Sequence, residues 1–179
     1  KILPPFITAY DNAVANKYYS TRLEAMMGAM NFIDRCTEDV LVLSDCDVIC
    51  NVDLERVIAE HGEKGADITV LTATVNTASQ RLDHHTELPT VGEDGRITDL
   101  AEYAGEEGEV EVCADIFVVN RAFLHRVVNE AVSHGYTSLY KDVLLRNVDR
   151  YRIFASHYDG IFARVNSLES YFRCSMRLL

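Results

Sequence analysis

Two kinds of hydrophobic spacing alternate along residues 21–74 and predict an α/β fold. Residues 21–35 have the helical spacing, and residues 40–44 (VLVLS) form a short, continuously apolar run that is typical of a strand buried on both faces. Asp53 can cap a second helix, and the β-branched run over 67–74 predicts the next strand. The order helix–strand–helix–strand is typical of an α/β domain, and we expect a mixed, mainly parallel sheet flanked by helices. The apolar face of the first helix consists of Leu23, Met26, Met27, Met30 and Ile33.

The rest of the chain continues this alternation with no internal repeat and no linker, so we expect one domain. Residues 75–88 lack periodicity and are predicted to form a loop. Glu169 is placed to close a capping box on the last helix, which begins at Asn166. Strands are predicted near residues 5–10, 88–92, 96–101, 111–119 and 151–158, and helices after Asn120, over 139–148 and from 166 onwards.

Charge and cysteine usage limit the possible partners and compartment. The formal net charge of the 179 residues is −11, which argues against binding to nucleic acid or to an anionic membrane surface. No apolar run is long enough to span a bilayer, and no signal-peptide pattern is present. The five cysteines form no C-x-x-C pair and no zinc-ligand spacing, so we expect free thiols in a reducing cytoplasm. The adjacent His84 and His85 would point in opposite directions in an extended loop, and we expect both at the surface.

Two carboxylates follow the apolar run in the stretch VLVLSDCDVICNVD, residues 40–53. Ligands of open α/β sheets bind beyond the carboxyl ends of the strands, where Asp45 and Asp47 are expected to lie. Such carboxylates can hold Mg²⁺ or Mn²⁺ against the phosphates of a nucleotide, and D-x-D patterns serve many nucleotide-sugar glycosyltransferases. The alternative is a solvated loop in which Asp47 caps a turn. Local sequence alone leaves both interpretations open.

The segment HYDGIFARVNSLESYFRCSMRLL, residues 157–179, resembles the sugar-1-phosphate nucleotidyltransferases, most closely glucose-1-phosphate adenylyltransferase. Four other segments resemble motifs of that family in the same order: residues 40–54, 63–73 (EKGADITVLTA), 94–103 (DGRITDLAEY) and 114–124 (ADIFVVNRAFL). The resemblance implies a Rossmann-like, GT-A-like nucleotidyltransferase fold. It also implies that residues 1–179 are the central and C-terminal part of one nucleotidyltransferase domain. The family's N-terminal glycine-rich nucleotide loop and its C-terminal β-helix are then absent from this chain.

The resemblance assigns roles to particular positions, and several of them have changed. Asp47 takes the place of a metal-binding aspartate, whereas Arg164 stands at the second metal carboxylate. Asp115 replaces a glycine, and Tyr103, after Glu102, replaces the lysine that holds the sugar phosphate. Glu102, Tyr103, Asp115 and Arg164 are therefore the substrate-pocket candidates. A turn that seats the adenine is replaced by Thr21, Arg22 and Leu23, which are the nucleotide-pocket candidates.

These changes leave no intact catalytic set and resemble the GlgD-type regulatory subunits of the bacterial enzyme. A guanidinium has only donors, so the family's Mg²⁺ would keep the single, relict ligand Asp47. The implied function is a regulatory subunit that assembles with a catalytic adenylyltransferase subunit and can bind ATP, glucose 1-phosphate or an effector. An active sugar-1-phosphate nucleotidyltransferase and a D-x-D glycosyltransferase remain as alternatives. A further hypothesis places Arg164 opposite Asp47, as a fixed cation in place of the metal.

Overall fold

The structure is a computed structural model that describes residues 19–178. The chain divides into two compact units. Among the described residues, the helical unit contains residues 19–39 together with residues 120–147, and the sheet unit contains residues 40–119 together with residues 148–178. The strand predicted at residues 5–10 lies outside the described residues.

The helical unit contains α1 (Arg22–Ile33) and α3 (Arg121–His134), which pack against each other. Thr21 begins α1 by accepting a hydrogen bond from the Glu24 N–H at 3.2 Å, and Gly135 ends α3 with a φ of 68°. Asn120 precedes α3 as predicted, but its side chain makes no capping hydrogen bond. The single helix expected over 139–148 is instead a π-helical turn, Leu139–Leu144, followed by a 3₁₀ turn, Leu145–Asn147. Asp142 accepts N–H groups from Thr137 and Ser138, both at 3.0 Å, where this segment begins.

The sheet unit has eight strands and two helices among its described residues, listed here in chain order. They are β1 (Val40–Ser44), β2 (Val48–Ile49), α2 (Leu54–Glu63), β3 (Ile68–Asn76), β4 (Glu87–Val91), β5 (Ile97–Glu102), β6 (Glu109–Asn120), β7 (Ile153–Tyr158), β8 (Ala163–Arg164) and α4 (Leu168–Leu178). As predicted, Asp53 begins α2, and its carboxylate accepts the Arg56 N–H at 3.1 Å.

The main sheet is mixed, as expected. Its strand order is β1-β6-β3-β7, in which β3 runs parallel to β7 but antiparallel to β6. The antiparallel pairing arises because the β4–β5 hairpin lies between β3 and β6 in the sequence, and the chain re-enters the sheet beside β3 in the opposite direction. The two strands predicted near residues 88–92 and 96–101 form this hairpin, and the sequence Glu93-Asp94-Gly95 between them is typical of a hairpin turn.

One face of the sheet holds the core of this unit. Residues of β3 and β6 pack there with Val57 of α2. The helix α2 also contacts β7. The strand β1 is half-exposed rather than buried on both faces, because it is an end strand of the sheet within the described residues. The buried core residues are Val57, Leu71, Ala73, Val75, Val112, Ala114, Ile116, Val118 and Phe162.

The helix α4 differs from its prediction in two ways. Ser167, not Asn166, caps it by accepting the Ser170 N–H at 3.1 Å, and Glu169 pairs with Arg173 at 2.6 Å instead of closing a capping box. The helical spacing of Leu168, Tyr171, Phe172, Met176 and Leu179 also predicts an apolar face on this helix. That face is exposed instead of buried, with Leu168 and Phe172 at 83% and 66% of their full accessibility. None of the helices in the described part of the chain has the length and apolar character to cross a membrane.

Candidate functional site

A short strand pair brings Asp47 and Arg164 together. The two residues of β2 pair antiparallel with the two of β8, so that Val48 lies opposite Arg164. The Val165 N–H donates to the Asp47 carbonyl at 2.8 Å, which fixes the loop between β1 and β2 beside β8. In this arrangement Arg164 Nε lies 4.0 Å from Asp47 Oδ2. The hypothesis that Arg164 lies opposite Asp47 is compatible with this distance.

An irregularity in β6 brings Asp115 beside Arg164. The β3–β6 register passes from Val70 opposite Phe117 to Thr72 opposite Cys113, so three residues of β6 face Leu71 alone. Asp115 is the middle one of the three and has a φ of 55°, a left-handed value that is uncommon for a residue other than glycine. This backbone explains why the resemblance expects glycine at this position.

The Asp115 carboxylate forms an ion pair with Arg164, between Oδ2 and Nη2. Both side chains are largely buried, with 7% of Asp115 and 14% of Arg164 exposed, whereas Asp47 is 37% exposed. The Asp45 N–H donates to the Asp115 carbonyl at 3.3 Å, so the first aspartate of the D-x-D pattern supports this backbone. Two carboxylates and one guanidinium therefore meet, and their summed charge is negative.

Two buried polar atoms of this cluster have no hydrogen-bond partner, Asp47 Oδ1 and Arg164 Nε. One accepts and the other donates, so a water or a ligand hydroxyl could satisfy both at once. Mg²⁺ does not fit the same place, because it requires several oxygen ligands and the Arg164 guanidinium, which has only donors, lies beside Asp47. In the described part of the chain, no three His, Cys, Asp or Glu side chains are grouped so that they could hold a metal ion.

The loop between β3 and β4, residues 77–86, contributes a third carboxylate to this cluster. Asp83 accepts the His85 N–H at 3.0 Å and the Thr86 hydroxyl and the Asn166 amide at 3.3 Å each. Burial acts to raise the pKa of Asp83, but these hydrogen bonds and the charge of Arg164 hold it below its usual value. The D-x-x-T spacing of Asp83 and Thr86, typical of a side-chain-closed turn, was the signal in the sequence.

A small pocket lies between this loop and Arg164. Thr86 and Asn166 line it together with Val112 and Phe162, and its volume is about 10 Å³. A volume of this size accommodates about one water molecule. As formed by the sheet unit alone, the pocket is therefore too small for a sugar phosphate.

The other candidates lie at different places. Glu102 is exposed at the end of β5, opposite Glu87. The Tyr103 N–H donates to the carbonyl of Thr86 at 2.9 Å, which ties it to the pocket by its backbone, while its hydroxyl donates to the Glu106 carbonyl at 3.0 Å. The nucleotide-pocket candidates belong to the helical unit, where Thr21 caps α1, Arg22 begins it, and Leu23 is fully buried.

The remaining expectations concern the histidines and cysteines. His84 and His85 are both exposed, as predicted. None of the five cysteines forms a disulfide, in agreement with the prediction of thiols. Cys113 is the buried one, and it lies two residues before Asp115 on β6.

Comparison with known proteins agrees with the resemblance at a coarse level. No protein-family model matches the chain. The glucose-1-phosphate adenylyltransferase of Thermosipho africanus (strain TCF52B) is 23% identical over 184 residues, which cover 99% of this chain. The chain is thus similar to that enzyme along almost its whole length. It spans only 42% of the length of that relative.

A solved structure supports the fold. The crystal structure of HddC from Yersinia pseudotuberculosis superposes with a TM-score of 0.69, covering 92% of this chain and 64% of that one. The sequence identity is 12%, so this likeness concerns the fold alone. It agrees with an α/β architecture built on a mixed sheet.

Proposed function

We propose that this chain belongs to a regulatory subunit of glucose-1-phosphate adenylyltransferase, with a Rossmann-like nucleotidyltransferase domain whose catalytic site has degenerated. In this proposal it acts in the cytoplasm, in bacterial glycogen biosynthesis, as the partner of a catalytic subunit in a hetero-oligomer. The similarity to the Thermosipho enzyme supports the family. The single observation that supports a degenerate site is the buried ion pair between Asp115 and Arg164.

The ion pair matters because of the charges in the reaction. Glucose 1-phosphate attacks the α-phosphate of ATP and pyrophosphate leaves, so the site must stabilise negative charge on phosphate oxygens. Here the positive charge of Arg164 is neutralised by Asp115, and Asp47 adds a further negative charge nearby. A site of this sign repels phosphates. The loss of one such stabilising group typically lowers kcat by about 10²–10³-fold.

The proposal is tested by assaying the intact protein with ATP, Mg²⁺ and glucose 1-phosphate, alone and together with a catalytic adenylyltransferase subunit. We expect no ADP-glucose formation by the protein alone, and a changed rate or effector response of the catalytic subunit when the two are mixed. Ordinary turnover by the protein alone would favour an active nucleotidyltransferase instead. Binding of a nucleotide sugar with Mn²⁺ that depends on both Asp45 and Asp47 would favour a glycosyltransferase.

A further inference from the structure

One wall of the small pocket beside Arg164 consists of a single loop, residues 77–86, which we call the covering loop. The other wall belongs to β6 and to residues 162–166. The pocket volume of about 10 Å³ is therefore the volume that remains while the covering loop is in place. The lining residues that the loop supplies are Gln80, Arg81, Leu82 and Thr86.

Both ends of the covering loop are fixed by backbone groups. At the first end, the Thr77 N–H donates to the Gly108 carbonyl, and the Gly108 N–H donates to the Thr77 hydroxyl, both at 2.9 Å. At the second end, the Tyr103 N–H donates to the Thr86 carbonyl at 2.9 Å, and Thr86 is buried. The two ends are thus attached to residues 103–108, which connect β5 with β6.

The middle of the loop, residues 78–85, is attached to the pocket side of the domain by two side chains. The Asn166 amide donates to the Asp83 carboxylate at 3.3 Å. The Arg173 guanidinium of α4 donates to the Ser79 carbonyl at 2.7 Å. Both contacts are exposed, and each joins one side chain to the loop where a strand would form a ladder of backbone bonds.

The other contacts of the middle segment are few. His84 Nδ1 lies 3.4 Å from the Tyr103 carbonyl, beside the second fixed end. Leu82 is partly buried against the core of the sheet unit. A segment with few buried apolar contacts and exposed hydrogen bonds opens locally at a lower free energy than the strands beneath it. Loops that close over ligand sites move in this way while the rest of the domain stays folded.

We propose that residues 77–86 form a lid over the pocket beside Arg164, with hinges at Thr77 and Thr86 and with Asn166 and Arg173 as its latches. When the lid opens, the pocket admits a ligand larger than the single water molecule that the closed pocket accommodates. This inference goes beyond the proposed function and does not depend on it, because it follows from how the loop is attached and not from any reaction.

The thiol of Cys113 serves as the reporter of opening. Cys113 is 1% exposed and lines the pocket on the wall formed by β6. The intact folded protein is labelled with N-ethylmaleimide, and peptide mass spectrometry follows Cys113 separately from the other four cysteines. We expect slow labelling whose rate changes little at urea concentrations well below the unfolding transition, because lid opening exposes little surface. A rate that rises with urea as steeply as global unfolding does would overturn the proposal.

Two variants test the latches. Asn166→Ala and Arg173→Met should each raise the labelling rate of Cys113 about fivefold or more, because each removes a hydrogen bond that involves a charged group. The urea dependence, measured for each variant, separates lid opening from global unfolding.

Arg146→Met is the matched control for Arg173→Met. It breaks an exposed ion pair between residues four apart, with Asp142 in the helical unit, as Arg173→Met breaks the pair with Glu169. Cys113 should be labelled in this control at the rate of the natural protein. Natural labelling rates in both latch variants, or equal acceleration in Arg146→Met, refute the lid.

Discussion

The Arg164 guanidinium and the Asp115 carboxylate form a buried ion pair in which each residue replaces one that the family resemblance leads us to expect. An aspartate at 115 alone would be a buried anion on a left-handed backbone, with φ at 55°. An arginine at 164 alone would face Asp47 at 4.0 Å. The two changes compensate each other, so we expect their effects on stability to be strongly coupled.

Arg164→Met should lower the free energy of unfolding by about 3–5 kcal/mol, because it leaves the Asp115 carboxylate buried without its partner. Urea denaturation followed by circular dichroism measures the change. Arg173→Met is the control, since it breaks only exposed contacts, the pair with Glu169 and a hydrogen bond to the Ser79 carbonyl at 2.7 Å, and should cost about 1 kcal/mol. If both variants lose the same free energy of unfolding, the buried pair contributes no more to stability than the exposed contacts.

The effect of Asp115→Gly on the free energy of unfolding should depend on the residue at position 164. In the natural protein the substitution removes the buried partner of Arg164, so it should lower the free energy of unfolding. In the Arg164→Met background it removes a buried carboxylate and relieves the left-handed backbone, and it should raise the free energy of unfolding by about 1 kcal/mol or more. Urea denaturation of the natural protein, the two single variants and the double variant measures this coupling. If Asp115→Gly changes the free energy of unfolding in the same direction with Arg164 and with Met at position 164, the coupling is contradicted.

Restoring the expected residues should create a metal site. The combined change Arg164→Asp and Asp115→Gly replaces a guanidinium beside Asp47 with a second carboxylate. We expect Mn²⁺ to bind this variant at least about tenfold more tightly than the natural protein, as measured by calorimetry or electron paramagnetic resonance. Adding Asp47→Asn should abolish the gain. A gain that survives Asp47→Asn would place the metal elsewhere.

The sequence predicted the regular elements well but not the contacts that form the site. The helices α1 and α2, the strand β3 and the β4–β5 hairpin follow from apolar spacing, capping residues and turn chemistry, which are local. Asp47 and Arg164 lie close together because β2 pairs with β8. These strands have two residues each, which is too short for a hydrophobic periodicity that would predict them. Only the family resemblance pointed to this proximity, and even that gave no hint that Asp115 would neutralise the arginine.

The errors also have physical reasons. The apolar composition of β1 suggested burial on both faces, but burial depends on neighbouring strands that composition does not report. In α4, Glu169 has two possible partners, a backbone N–H or Arg173, and the side-chain pair forms. The role of Asp83 does not follow from its own loop, because it depends on a hydrogen bond from Asn166, far along the chain.

The deprotonation of His157 should lower the free energy of unfolding as the pH rises. Its hydrogen bond and ion pair with Glu111, together with Asp159 at 2.9 Å, raise its pKa above about 6.5, against the opposing effect of burial. A raised folded pKa means that the contribution is fully present below about pH 6.5 and is lost as the pH rises through the folded value. The free energy of unfolding should therefore fall less between pH 6 and pH 8 in His157→Gln than in the natural protein. His85→Gln, on an exposed loop, should behave like the natural protein.

Gly160 is expected to be required for space rather than for backbone freedom. A Cβ at this position would overlap the ring of Tyr158, whose hydroxyl accepts the Asn51 N–H at 2.9 Å and donates to the Ile161 carbonyl at 3.3 Å. Gly160→Ala should therefore lower the free energy of unfolding by about 1–3 kcal/mol through overpacking. Gly62→Ala is the matched control, because a Cβ there meets nothing within 4 Å and alanine should stabilise α2 by up to about 1 kcal/mol. Thermal denaturation of the two variants should thus give shifts of opposite sign, and a stabilising Gly160→Ala would mean that Tyr158 moves aside without loss.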